Sequence, residues 1–262
     1  MDRPDLSGRR IVLVTGASRG VGAATALRLA APDTHVVVNY REKLKRALTV
    51  VEDIASAGGS ASAIGADLSD AAETATMLDH IRDEFGRLDA LVLNASGGLE
   101  RTVDPGYALR LNRDSQVRLA TSALPLIPAG GRIVFVTSHQ AHFHLEGGPL
   151  PQGYGPVAAG KRAGEHALRA LIPDFNARGV GFVVVSGDMI DGTIIVRLLE
   201  RRDPEAVATR RTGGPLPTLD QFAGAIVRAV DAPVPSGHTF YVGGHDYLGD
   251  SRLPPEAATM LP

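Results

Sequence analysis

The sequence predicts an α/β fold: a single-domain, Rossmann-type, doubly wound parallel sheet of about seven strands with helices on both faces. Two observations predict it. Short β-type runs alternate with helix-length segments along almost the whole chain, and several of those runs are nearly continuous in apolar residues, as strands buried on both faces require. The runs are IVLVT (11–15), HVVVN (35–39), SAIGAD (62–67), DALVLN (89–94), RIVFVT (132–137), GFVVVS (181–186) and TFYVGG (239–244). Helical segments are expected at 20–31, 42–57, 70–86, 105–123, 156–178 and 218–231. Gly213, Gly214, Pro215 and Pro217 mark a loop before the last helix. Residues 1–250 are read as one domain, and 251–262, with Pro254, Pro255 and Pro262, as an irregular arm.

Composition narrows the class. The chain has 262 residues, of which 44% are apolar and 21% charged, the balance of an ordinary globule with enough apolar surface to offset its ordering entropy. The 27 basic and 29 acidic residues nearly cancel, so no nucleic-acid partner is expected. With no cysteine, disulfides, thiolate chemistry and Cys-ligated zinc are excluded together. No apolar run reaches the ~18–20 residues that span a bilayer, so no membrane partner is expected. The polar N-terminus shows no signal peptide, and a cytoplasmic location is the expectation. The 24 arginines against 3 lysines read as codon bias and carry no mechanistic weight.

The first strand runs into TGASRGVG (15–22) and then an Ala-rich helix. Gly16, Gly20 and Gly22 suit a tight turn, a close backbone approach to pyrophosphate and tight helix–strand packing. The helix start adds free N–H groups and partial positive charge. Ser18, Arg19 and Val21 belong to the same turn. After the second strand stand Asn39, Tyr40 and Arg41, with no carboxylate at the strand end to repel a ribose 2′-phosphate. Arg19 and Arg41 supply guanidinium forks that match phosphate oxygens, so NADPH is expected over NADH.

These motifs, in this order, resemble the short-chain dehydrogenase/reductase family over nearly the whole chain. The family's adenine-side aspartate corresponds to Asp67, followed by Leu68, and its Asn-Asn-Ala-Gly stretch to Leu93, Asn94, Ala95 and Ser96. Its helix-four asparagine corresponds to Asn112, its strand-five serine to Ser138 and its Pro-Gly to Ser186 and Gly187, with Thr193 beyond as a cofactor contact. The resemblance implies hydride transfer between NADP(H) and a small-molecule ketone or alcohol. It also implies a homotetramer packed through the helices at 105–123 and 156–178. The short separation of Asn94 and Asn112 implies a trimmed pocket wall that admits a large, flat substrate. A polyketide-type ketone of an antibiotic pathway is the leading expectation.

The family's proton-donating tyrosine lies four residues before its lysine. Aligning AGKRAGE makes Lys161 the family lysine, and Val157 then occupies the tyrosine position. Tyr154 stands seven residues before Lys161, two turns or ~10.5 Å away along a helix, and Pro156 is expected in the first helical turn, which leaves Tyr154 in the preceding loop. This placement predicts a modest role for Tyr154. Three routes stay open: Tyr154 swings back and donates; another acid or a water does; or reduction is lost and the chain is a non-catalytic NADP(H)-binding regulator. His139, His142 and His144 are candidate acids near neutral pKa, with the leading reading that they line the substrate loop or its rim without chemistry, and Ser96 is a further hydroxyl. A phenolic substrate with an internal hydrogen bond is another source of the proton. A metal cluster on these histidines is disfavoured, since only Glu146 lies near to complete it. Intact Ser138, Asn112 and Lys161 favour the enzyme.

Overall fold

The computed structural model describes residues 8–99, 104, 106–144 and 150–244. The arm at 251–262 and Glu146 lie outside the described residues. Seven parallel strands form one sheet: β1 (Arg10–Val14), β2 (Thr34–Tyr40), β3 (Ser60–Gly65), β4 (Ala90–Leu93), β5 (Arg132–Ser138), β6 (Gly181–Gly187) and β7 (Thr239–Val242). Their order is β3-β2-β1-β4-β5-β6-β7. The winding reverses between β1 and β4, which opens a crevice at the carboxyl ends of those two strands.

Alternation along β1 sends Ile11 and Leu13 into one core and Val12 and Val14 into the other. Burial on both faces is the reason these strands read as continuous Val/Ile/Leu runs. One face is covered by α1 (Gly20–Leu29), α2 (Leu44–Ser56) and α11 (Leu219–Asp231), which contribute Ala26, Leu29, Ala47, Ile54, Phe222 and Ile226. The other carries α3 (Ala71–Phe85), α5 (Ser115–Ala123), α7 (Gly155–Ala170) and α8 (Ile172–Ala177), through Met77, Ile81, Leu119, Leu168 and Phe175. Local chemistry sets the ends. Asp70 accepts from the amides of Ala72 and Glu73 to start α3, Gly86 closes it in the left-handed region, and Thr218 and Gln221 form a reciprocal cap on α11.

Two expected helices are interrupted. The stretch at 105–123 contains α4 (Tyr107–Leu109), a π turn at Arg110–Asp114 and α5. The stretch at 156–178 divides at Leu171 into α7 and α8, with Pro173 in the first turn of α8, where its missing N–H is harmless. Three helices have no counterpart in the sequence reading: α6 (His139–His142), α9 (Ile194–Arg202) and α10 (Pro204–Thr212). The last two build a small core of their own from Met189, Val196, Leu199, Val207 and Leu216. No helix among the described residues is long and apolar enough to cross a membrane.

Candidate active site

The Gly-rich turn is built to expose backbone. Gly16 (φ 62°) and Gly20 (φ 56°) are left-handed, a conformation open to glycine at little cost. A Cβ on Gly22 would lie 2.6 Å from both Asn94 Nδ2 and the Gly16 carbonyl, so only glycine lets α1 start this close to β4. Thr15 locks the turn to the β4 end: its hydroxyl donates to Val92 O (3.1 Å) and accepts from the amides of Asn94 (2.9 Å) and Ala95 (3.0 Å). Asn94 Nδ2 donates back to Thr15 O (2.8 Å). Arg19 is the exposed residue that caps α1, and Ser18 and Val21 flank it half-buried. These features fit a dinucleotide's pyrophosphate. The turn leaves backbone accessible at Gly20, where an added Cβ would meet nothing within 4 Å, and a ten-residue helix begins there.

The residues after β2 divide. Asn39 is buried, and its side chain is spent on the turn: Oδ1 accepts from the Gly16 amide (3.1 Å) and Nδ2 donates to Ala66 O (3.3 Å). It supports the phosphate turn from beneath. Tyr40 lies against Gly65, where a Cβ would sit 3.1 Å from the phenol oxygen. Arg41 is exposed, pairs with Glu42 (3.1 Å) and donates to the Tyr107 hydroxyl on α4. Asp67 accepts from the amide and hydroxyl of Ser69 (2.8 and 2.7 Å), and Leu68 is buried beside it.

Asn112 sits in the π turn, and its side chain is fully engaged. Nδ2 donates to Gly97 O (2.9 Å) and Ala108 O (2.8 Å), and Oδ1 accepts from Ser96 Oγ (2.8 Å). Ser96, in the family's glycine position, is thereby clamped to α4 and the π turn. Ser115 Oγ and Gln116 Nε2 reach back to the carbonyls of Arg110 and Leu111 (both 2.8 Å), which stabilises the wider turn.

Ser138 ends β5 and caps α6. Its Oγ lies 2.8 Å from the hydroxyl of Tyr154. This corrects the placement read from the sequence. Pro156 is in the first turn of α7 and Tyr154 immediately precedes the first helical residue, both as expected; what differs is that Tyr154 is buried, with its hydroxyl brought to Ser138. Counting turns from Lys161 located Tyr154 relative to the wrong partner, because the serine it meets arrives on a different element. Val157 is buried beside it in a small cluster with Ala141 and Ala158.

Lys161 is buried, and its Nζ donates to Val136 O (3.0 Å) and lies 5.9 Å from the centre of the Phe135 ring. Burial pulls its pKa down to about 8. Gly187 takes its place because a Cβ there would lie 2.5 Å from the Phe222 ring. Thr193 caps α9 and donates to Ile190 O (2.8 Å), so its hydroxyl is already engaged.

Two of the candidate histidines are held in other bonds. His139 Nε2 donates to Gly243 O (3.0 Å), which leaves Nδ1 to accept from Ser186 Oγ (2.8 Å). Burial lowers its pKa to about 4, so it is neutral at pH 7 and has no proton to spare beyond the one given to Gly243. His142 bridges Glu165 (Nδ1–Oε2, 2.8 Å) and the Tyr241 hydroxyl (3.1 Å). Burial alone would raise the Glu165 pKa, but His142 and Arg169 together outweigh it and hold the carboxyl below its ordinary value. Among the described residues no three His, Cys, Asp or Glu side chains could hold a metal ion.

Sequence reasoning missed three features: Tyr107, which holds Arg41; Gly164, whose missing Cβ seats α7 on the Asn112 turn; and the buried Asp188–Arg210 ion pair (2.7 Å) after β6. The last had a faint signal, an acid after the Ser-Gly of β6 followed by an Arg-rich segment.

Comparisons with known proteins place the chain in a family. Residues 10–203 match the family model described as short chain dehydrogenase. The chain is 36% identical over 180 residues to hydroxynaphthalene reductase arp2 of Aspergillus fumigatus, covering 66% of this chain but only 63% of that relative's length. It is 32% identical to the 3-oxoacyl-[acyl-carrier-protein] reductase of a Synechocystis species, across 90% of this chain and 96% of that protein. The crystal structure of angucycline C-6 ketoreductase LanV with bound NADP superposes with a TM-score of 0.77 at 26% identity, covering 92% of this chain and 96% of the other. A parallel seven-stranded sheet, a glycine turn locked by Thr15 and Asn94, and a family match over most of the length lead to one assignment: this chain belongs to the short-chain dehydrogenase family.

Proposed function

We propose that this protein is an NADPH-dependent ketoreductase that reduces a ketone on a fused-ring, polyketide-type substrate to a secondary alcohol, with Tyr154 in place of the family tyrosine as proton donor. The observation that carries the reading is the 2.8 Å contact between Ser138 Oγ and the Tyr154 hydroxyl. Two hydroxyls at that spacing address one carbonyl oxygen together, the arrangement that stabilises charge as an alkoxide develops. The product oxygen takes the Tyr154 proton, while Ser138 keeps its own and holds the oxygen in place.

The cofactor would rest on the turn of Gly16, Ser18, Arg19, Gly20, Val21 and Gly22. Asp67, Leu68, Ala95 and Ser96 would line its adenosine and nicotinamide sides, and Arg19 and Arg41 would meet the 2′-phosphate. When bound, NADPH supplies the hydride. Lys161, with its pKa drawn down to about 8 and half protonated at that pH, is suited to donate to a ribose hydroxyl. The substrate class is supported by two relatives, a hydroxynaphthalene reductase and an angucycline ketoreductase. The helices α5 and α7, by family resemblance, would carry a homotetramer.

Reduction of a fused-ring aryl ketone such as 1-tetralone tests the reading. Tyr154→Phe should lose ~10²–10⁴-fold in kcat, the span of a general acid, with NADPH affinity kept. A loss below tenfold would transfer the proton to water, since 1-tetralone has no hydroxyl of its own to give.

A further inference from the structure

We infer that Asp203 is the positioning residue for Tyr154: through it, the paired helices α9 and α10 hold the turn that carries the proton donor. The inference rests on the reading of Tyr154 given above. A tyrosine at position 157 would be oriented by the interior of α7. Tyr154 instead precedes the first helical residue, so its bearing depends on the turn at 151–154, where its amide donates to Pro151 O (3.0 Å).

Three contacts tie that turn and its surroundings to the α9–α10 segment. Asp203 Oδ2 accepts from the Gln152 amide (3.1 Å), inside the turn itself. Arg202 donates to Leu99 O (3.0 Å), and Leu99 packs against the cluster of Ala141, Tyr154, Val157 and Ala158. Ile195, on the first turn of α9, packs against the same cluster. Asp203 has two tasks at once, because its Oδ1 accepts from the Ala206 amide (3.1 Å) and caps α10.

The other end of α10 is anchored to the sheet. Arg210 Nε donates to both oxygens of Asp188 (2.8 and 2.9 Å), directly after β6, and Asp188 is almost wholly buried. A continuous path therefore runs from β6 through Asp188 and Arg210, along α10 to Asp203, and on to Gln152 and Tyr154. Moving α10 moves the turn. The two carboxylate oxygens explain why an aspartate suits this position, since a serine caps a helix equally well but offers a single oxygen.

The test is a double-mutant cycle on the full chain with NADPH and 1-tetralone. Asp203→Ser keeps an oxygen for the Ala206 amide and gives up the second acceptor. It should lower kcat roughly 3- to 10-fold, the scale of one hydrogen bond, with KM for NADPH unchanged. In a Tyr154→Phe background the same change should cost less than about twofold, because the group it positions is gone. A second readout needs no turnover. In protein labelled with 3-fluorotyrosine, the fluorine resonance that Tyr154→Phe removes should shift or broaden in Asp203→Ser. Equal losses in both backgrounds, or an unmoved resonance, overturn the inference. Full turnover in Tyr154→Phe alone overturns the proton-donor reading separately, and the resonance still reports whether Asp203 orients the ring.

Discussion

Gly164 lies directly against the carbonyl of Asn112: a Cβ on it would stand 2.2 Å from that oxygen, far inside contact distance. One turn earlier, Gly160 does the same with Ala108 O, at 2.8 Å. Lys161 falls between these two glycines, so the closeness of α7 to the π turn fixes where the lysine emerges. Gly164→Ala should therefore push the helix outward and cost ~1–3 kcal/mol, the range of an overpacked core, although alanine favours helices elsewhere. Urea unfolding would measure the stability, and NADPH titration the displacement of Lys161. A stabilised variant would show that the helix yields freely.

Cofactor choice should depend on Arg41. Its guanidinium is turned toward α4 by the Tyr107 hydroxyl and has Glu42 beside it, while Arg19 stands at the start of α1. NADPH should bind at least ~10-fold tighter than NADH, about 1.4 kcal/mol, which one charge-assisted contact supplies. Arg41→Met should erase most of that ratio by weakening NADPH alone. Fluorescence titration of both cofactors decides it, and an unchanged ratio would leave the discrimination to Arg19.

Most of the sheet was legible because its strands are buried on both faces. VLV in β1, VVV in β2 and VVV in β6 can hide nowhere else. The turn at Gly16, Gly20 and Gly22 was legible because its backbone geometry demands glycine. The site's other half was not. Nothing in the local pattern says that Tyr154 meets Ser138, since the contact joins a helix cap to a strand end sixteen residues away along the chain. Asn39 read as a cofactor contact because a strand-end residue there can face the ligand; the structure turns it under the glycine turn. The histidines stayed open as candidate acids because burial is invisible in sequence, and burial is what holds His139 neutral.

Burial of neutral histidines also makes folding sensitive to acid. His35 lies between Ser60 (2.7 Å) and Ser62 (3.0 Å) on β3, and burial pulls its pKa, like that of His139, to about 4. In the unfolded chain both return to about 6.5. Between pH 6.5 and 4 the unfolded state binds more protons than the folded one, so stability is complete above pH 6.5 and falls as the pH drops through this window. Each histidine contributes at most about 3 kcal/mol to that fall. Urea unfolding from pH 7.5 to 4.5 should show the midpoint declining below pH 6.5. His35→Gln, which keeps polar atoms for the two serines but cannot take a proton there, should remove about half of the slope while lowering the stability at pH 7.5 by less than the slope it removes. A profile as steep in the variant as in the parent would place the acid sensitivity elsewhere, with Glu165, whose carboxyl His142 and Arg169 hold below its ordinary value, the next group to examine.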